Sequence, residues 1–152
     1  MSQDTAIEMD KLGEDLSNAG LKSTLPRLRI LKILEESSTR HMSAEDVYDE
    51  LRKDNQTVSL ATIYRVLSQF VDAGLAVRHQ FEGNKAIYEL NDDEHHDHMV
   101  CLKCGKIIEF MDEKIELLQK QIAEEHEFEM QDHSLTLFGI CKYPDRCKQQ
   151  TR

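Results

Sequence analysis

What this 152-residue sequence has little of narrows its class first. Two prolines and six glycines exclude collagen-like and Pro/Gly-rich disordered chains. No apolar run approaches the roughly 20 residues that span a bilayer. The acidic opening "MSQDTAIEMDKLGED" lacks the apolar segment of a secretory signal. A cytoplasmic protein without a membrane partner is therefore expected. The sequence also lacks an H-E-x-x-H pattern and a nucleophile elbow. That leaves little chemistry for an enzyme, the alternative being a His/carboxylate metallohydrolase with Glu116 as general base. Excess positive charge is missing too: 19 Lys+Arg against 29 Asp+Glu give −10, which taken alone argues against nucleic-acid binding.

What is present is a soluble globular composition, 39% hydrophobic and 32% charged, long enough for one ordinary domain or two small ones. The acidity is uneven. Residues 1–80 carry 10 basic and 13 acidic side chains, a balance of −3, and residues 81–152 carry 9 and 16, a balance of −7. A nearly neutral front half can still present a basic face, whereas the acidic back half suits a cation. Four cysteines in two close pairs, in a reducing compartment, read as metal thiolates before disulfides.

The front half reads as helices. In "TLPRLRILKILEES", Thr24 is a candidate N-cap and Pro26 falls in the first turn, where a missing N–H is harmless. "SAEDVYDELRKD" opens with a capping-box pattern, Ser43 and Asp46. "SLATIYRVLSQFVDAG" has Ser59 as cap and Gly74 as stop. On this third helix Leu60, Ile63, Val66, Leu67, Phe70 and Val71 share one face; Thr62, Tyr64, Arg65, Ser68 and Gln69 form a polar face with no carboxylate. "LAVRHQF" and "KAIYEL", joined by Glu82-Gly83-Asn84, pattern as a hairpin. Helices followed by a hairpin suit a winged helix-turn-helix, although a generic three-helix packing module has the same pattern. Lys22, Arg27 and Arg29 would add positive charge near the reading face, and His79 reads as a wing residue near phosphate.

From Asp92 the texture changes. Two short strands flank a Cys-x-x-Cys-Gly turn in "HMVCLKCGKIIEF"; "DEKIELLQKQIAEEH" is an amphipathic helix with Ile115, Leu118 and Ile122 on its stripe; "FEMQDHSLTLFGIC" alternates as a strand. So small an α/β unit needs a staple, a partner chain or both. Cys101 and Cys104, with Cys141 and Cys147, can supply four thiolates for a closed tetrahedral site, for which zinc is the expected metal.

In the extended stretch "EHHDH", successive side chains point to opposite faces, so His95 and Asp97 face one way and His96 and His98 the other. One ion cannot readily gather all four. Two further sites sharing one segment are predicted, combining imidazole with carboxylate, a donor set suited to Fe(II), Mn(II), Co(II) or Zn(II). Glu89, Glu109, Glu113, Glu116, His133 and His41 are candidate additional ligands, each of them, taken singly, more ordinary as a surface residue. His126, at a helix end, is assigned no metal role.

At "LATIYRVLSQFVDAG", "HHDHMVCLKCGKIIEF" and "DHSLTLFG" the sequence resembles the ferric uptake regulator family, a similarity extending from about Gly20 to Cys141. The resemblance implies a dimeric metal-dependent transcription factor of α+β class: an N-terminal winged helix-turn-helix DNA-binding domain, 1–90, and a small C-terminal α/β metal-binding dimerisation domain, 91–152. It implies DNA contacts from Tyr64, Arg65 and Lys22; a regulatory site of His41, Glu89, His96, His98 and Glu109; a second site of His95, Asp97, Glu116 and His133; and structural zinc on Cys101, Cys104, Cys141 and Cys147. Five residues separate the last two cysteines in "CKYPDRC", longer than the family spacing, which predicts Cys147 as a weaker or absent ligand. Glu at both 89 and 109, with no extra cysteine, resembles the iron-sensing branch more than peroxide or zinc sensors. Double-stranded operator DNA and a second copy of the chain, as dimer or tetramer, are the implied partners, and Fe(II) the implied regulatory ion, with Mn(II), Co(II) or Zn(II) as substitutes.

Overall fold

The computed structural model describes residues 3–38, 41–81, 85–92, 95–143, 145 and 147. The chain divides into two units, Met1–Asp92 and Asp93–Arg152.

The front unit runs α1 (Gln3–Asn18), α2 (Leu25–Glu36), α3 (Ala44–Lys53), α4 (Leu60–Asp72), β1 (Ala76–Gln80) and β2 (Ala86–Leu90). Local chemistry sets most of these boundaries. Ser43 Oγ accepts from Asp46 N–H while Asp46 returns a bond to Ser43 N–H, the full capping box at the start of α3. Ser59 Oγ accepts from Thr62 N–H and starts α4. Gly74, at φ +80°, stops it: Gly74 N–H reaches Val71 O and Leu75 N–H reaches Phe70 O, a Schellman ending. Thr24 differs from expectation. It has the extended N-cap backbone of α2, but its side chain makes no capping bond, and Pro26 in the first turn removes one donor there.

Ile30, Leu31, Leu34, Val47, Leu51, Ile63, Val66, Leu67 and Phe70 pack into one core with Ala76 and Tyr88 of the hairpin. Leu60, assigned by periodicity to the buried face, is exposed at the first turn. Helix α1 was not expected. Its Leu12 and Leu16, one turn apart, are fully buried in the same core.

Strands β1 and β2 pair antiparallel, from Ala76 opposite Leu90 to Gln80 opposite Ala86. The predicted connection Glu82-Gly83-Asn84 lies outside the described residues. Met42 adds a bridge on the other side of β2, exchanging both backbone bonds with Tyr88 at 2.9 and 2.7 Å. That bridge places His41 beside Glu89.

The second unit runs β3 (Asp97–Cys101), β4 (Ile107–Phe110), α5 (Glu113–Glu125) and β5 (Thr136–Gly139). Its sheet has the order β4-β3-β5, with β3 antiparallel to β4 and parallel to β5. The Cys-x-x-Cys-Gly turn joins β3 to β4, with Gly105 at φ +76° and its N–H on Cys101 O. Asp112 caps α5 through Lys114 N–H. The predicted apolar stripe of α5 is present but no α5 residue is buried: Leu118 and Ile122 are 56% and 55% exposed. Among the described residues no helix is long and apolar enough to cross a membrane.

Candidate metal centres

Cys101 and Cys104 lie at the two ends of the tight turn after β3, and Cys141 follows β5, whose register sets Gly139 opposite Cys101. With Cys147, the four sulfurs lie within 4.8 Å of one another. Cys101 Sγ is 3.8 Å from Cys147 Sγ, and Cys104 Sγ is 3.9 Å from Cys141 Sγ. A disulfide would need about 2.05 Å. Four sulfurs at about 2.3 Å from a central zinc, arranged tetrahedrally, are separated by about 3.8 Å. The cluster fits zinc. Cys147, whose five-residue spacing predicts a weaker or absent ligand, has its sulfur within the group and is buried.

Backbone N–H groups of Cys104 and Cys141, 3.5 and 3.4 Å from Cys101 Sγ, lower the Cys101 thiol to about 6. Cys147 is pushed up to about 12, chiefly by its hydrogen bond with the Cys104 thiol and next by burial. The Cys141 thiol is raised by its hydrogen bond with Cys101. Cys101 is thus the sulfur best prepared as a thiolate, and binding of a divalent ion to the group would release protons from the raised Cys141 and Cys147 thiols.

The second cluster joins the start of β3 to α5 and the segment before β5. His95 Nε2 lies 3.2 Å from Asp97 Oδ1 and 3.3 Å from Glu116 Oε1, and His133 Nε2 lies 3.1 Å from that same Glu116 oxygen. Ligands about 2.1 Å from one ion are about 3.0–3.4 Å apart, for octahedral and tetrahedral angles respectively. Asp97 is fully buried, and its Oδ2 has no hydrogen-bond partner among the described residues. A buried carboxylate oxygen so placed calls for a cation. His95 and Asp97 do share one side, as alternation predicts.

The five residues grouped by resemblance as a regulatory site are drawn from both units. In the front unit His41 Nε2 is 3.1 Å from Glu89 Oε2, and both side chains are buried. In the second unit the β3–β4 register sets His98 opposite Glu109. His96 Nε2 is 3.5 Å from Glu109 Oε1, and the His96 and His98 rings are 4.9 Å apart. Glu113, also a candidate, is exposed on α5 and belongs to none of these groups. His126 is the C-cap residue of α5, also outside them.

On α4, Tyr64 and Arg65 are exposed, opposite the buried Ile63, Val66, Leu67 and Phe70. Tyr64 O–H donates to Glu45 Oε1 at 2.8 Å. This bond holds the Glu45 carboxyl below its usual range and raises the Tyr64 phenol. Lys22 is exposed. Arg27 is not a loose surface charge: its guanidinium donates to Gln69 Oε1 at 3.3 and 3.1 Å and to Lys22 O at 2.8 Å, tying α2 to α4.

Sequence reasoning missed two residues at these sites. Glu45 sits across the α3–α4 contact, where no sequence period points. His79, expected near phosphate, places its Nε2 2.5 Å from Glu89 Oε1. The hairpin register contained that signal: Val77 pairs with Glu89, so His79 is its diagonal neighbour on the same face.

Residues 18–138 match the Ferric uptake regulator family. The ferric uptake regulation protein of Legionella pneumophila is 55% identical over 128 residues, 84% of this chain and 94% of that one. Among solved structures, the ferric uptake regulator of Vibrio cholerae superposes with a TM-score of 0.80 at 50% identity, covering 85% of this chain and 98% of that chain. That of Pseudomonas aeruginosa, solved with manganese, gives 0.74 at 52% identity, covering 87% and 98%. With such identity along most of its length, the chain belongs to the ferric uptake regulator family.

Proposed function

We propose that this protein is a metal-dependent DNA-binding repressor that senses Fe(II) and controls iron-uptake genes. It is a regulator and not an enzyme. The observation that carries the reading is the buried pair His41–Glu89 in the same unit as the exposed Tyr64–Arg65 face of α4. A reading head that bears half of an ion's ligands can have its orientation set by that ion.

In this reading residues 1–90 are the DNA-binding domain, with Tyr64 and Arg65 entering a major groove and Lys22 reaching a minor groove. Residues 91–152 are the metal-binding dimerisation domain. His41 and Glu89 join His96, His98 and Glu109 as ligands of one regulatory ion. A bound divalent cation supplies the positive charge that makes convergence of these carboxylates favourable. Without it Glu89 and Glu109 repel, and the reading heads sample orientations that do not match two operator half-sites. Moving such an equilibrium from about 1% to 99% takes a differential affinity of about 5.5 kcal/mol.

Cys101, Cys104, Cys141 and Cys147 hold structural zinc, and His95, Asp97, Glu116 and His133 form a second mixed site. A homodimer, with a tetramer as the larger assembly, is supported by the exposed Leu117, Leu118 and Ile122 on α5 and by Phe138 and Ile140 at β5. Double-stranded operator DNA and a cytoplasmic location complete the reading.

A manganese- or zinc-responsive regulator of the same superfamily is the second reading; nitrogen and oxygen donors without thiolate at the regulatory ligands favour the manganese form of it over the zinc form. A gel shift on promoter DNA with Fe(II), Mn(II), Zn(II) or chelator tests both. Retardation that requires a divalent ion, with Fe(II) effective at a lower free concentration than Mn(II), is expected; retardation unaffected by chelator would overturn metal dependence.

A further inference from the structure

We propose that His79 is a positioning residue for Glu89, fixing from the wing hairpin the carboxylate through which the regulatory ion is held. The proposal rests on reading Glu89 as a ligand of that ion.

The geometry lies wholly within the front unit. Glu89 on β2 is 4% exposed at its side chain and turns its two oxygens to different imidazoles: Oε1 to His79 Nε2 at 2.5 Å, Oε2 to His41 Nε2 at 3.1 Å. As a metal ligand Glu89 is ionised and only accepts, so in the metal-binding state the His79 ring nitrogen is the donor in the shorter contact. With Oε1 held, Oε2 is the oxygen directed to the His41 side. His79 is itself held from two directions. It lies diagonal to Glu89 across the β1–β2 ladder, and its ring stacks on Phe81 with centroids 5.3 Å apart and planes 7° from parallel. A donor fixed in this way to a ligating carboxylate orients the ligand and spares the ion the entropy of ordering it.

His79→Phe keeps a ring on Phe81 but removes the N–H; His79→Gln restores an N–H donor. Each is made beside His133→Ala, which disables the second mixed site, in full-length zinc-loaded protein. Co(II) and Mn(II) affinities are measured by chelator competition, together with the Co(II) visible spectrum and operator binding at limiting and saturating metal. His79→Phe is expected to weaken Co(II) binding 10–100-fold, with the same displacement of the metal concentration needed for DNA binding. Saturating metal should recover operator affinity, the Co(II) spectrum should keep its band positions, and His79→Gln should lie within about 3-fold of the parent. Affinity of His79→Phe within 2-fold of the parent overturns the proposal. So does a loss of Co(II) bands in both variants, which would make His79 a ligand. Glu89→Ala in the same background separates the two layers: unchanged Co(II) affinity there would sink the regulatory-site reading, whatever His79 does.

Discussion

Replacing Cys101 by serine probes the four-sulfur centre where its geometry is best defined. Cys101 Sγ accepts two backbone N–H bonds and lies 3.8 Å from Cys147 Sγ. Structural zinc in small domains binds with about 10–16 kcal/mol. Shared evenly, one thiolate of four accounts for about 2.5–4 kcal/mol, so zinc affinity should fall on the order of 10²–10³-fold. For a unit of this size that corresponds to a fall in melting midpoint of about 10–30 °C. The second unit has little else to rely on: among its described residues the buried hydrophobic side chains are Val100, Cys101 and Cys147. Zinc per chain after dialysis against a chelator, and a thermal melt followed by circular dichroism, read the two quantities. Wild type should retain one zinc per chain on these sulfurs; Cys101→Ser should lose it and melt early. Cys147→Ser should match it, because the fourth sulfur completes the tetrahedron despite its long spacing. Zinc retention and an unchanged midpoint in Cys101→Ser would refute the reasoning. A silent Cys147→Ser would show that the fourth ligand comes from elsewhere.

Three further outcomes are expected. His96→Ala and Glu89→Ala should abolish metal-dependent operator binding while sedimentation still finds a folded dimer; operator affinity equal to wild type in either would remove the bridging mechanism. Arg65→Ala should weaken operator binding by about 1–3 kcal/mol if it reads a base edge, with metal content per chain unchanged by elemental analysis. The Glu45 carboxyl, held below its usual range by the Tyr64 hydroxyl, contributes stability above its unfolded value and loses it as pH falls through the folded one. In Tyr64→Phe its NMR titration midpoint should therefore rise toward that of an ordinary glutamate, and an unmoved midpoint would show that the hydroxyl is not the cause.

Much of this arrangement was legible where short-range chemistry decides. The capping box at Ser43, the stop at Gly74 and the hairpin alternation each act within a few residues, and each is present. Alternation along a single strand likewise separated His95 and Asp97 from His96 and His98. What could not be read was settled by distant partners. Helix α1 seats Leu12, Leu16 and, in part, Met9 on the core, a narrow stripe among many acidic residues that only the core it meets makes plain. Arg27 looks like free positive charge until Gln69, 42 residues away, is brought beside it. The approach of Cys147 to the other three sulfurs could not be read from its spacing, because a count of intervening residues says nothing of how the chain returns. The exposed stripe of α5 shows the reverse limit: its period is plain, but one chain does not bury it.

The parallel pair β3 and β5 has a consequence of its own. Asp97 opens β3 and Cys101 closes it, while His133 precedes β5 and Cys141 follows it. Two short ribbons thus carry candidate ligands at both extremities, oxygen and nitrogen donors at one end and sulfur at the other. Were both ends to hold an ion, stripping one should fray the pair from that end alone, so amide exchange at Leu137 compared with Gly139 would distinguish which anchor had let go.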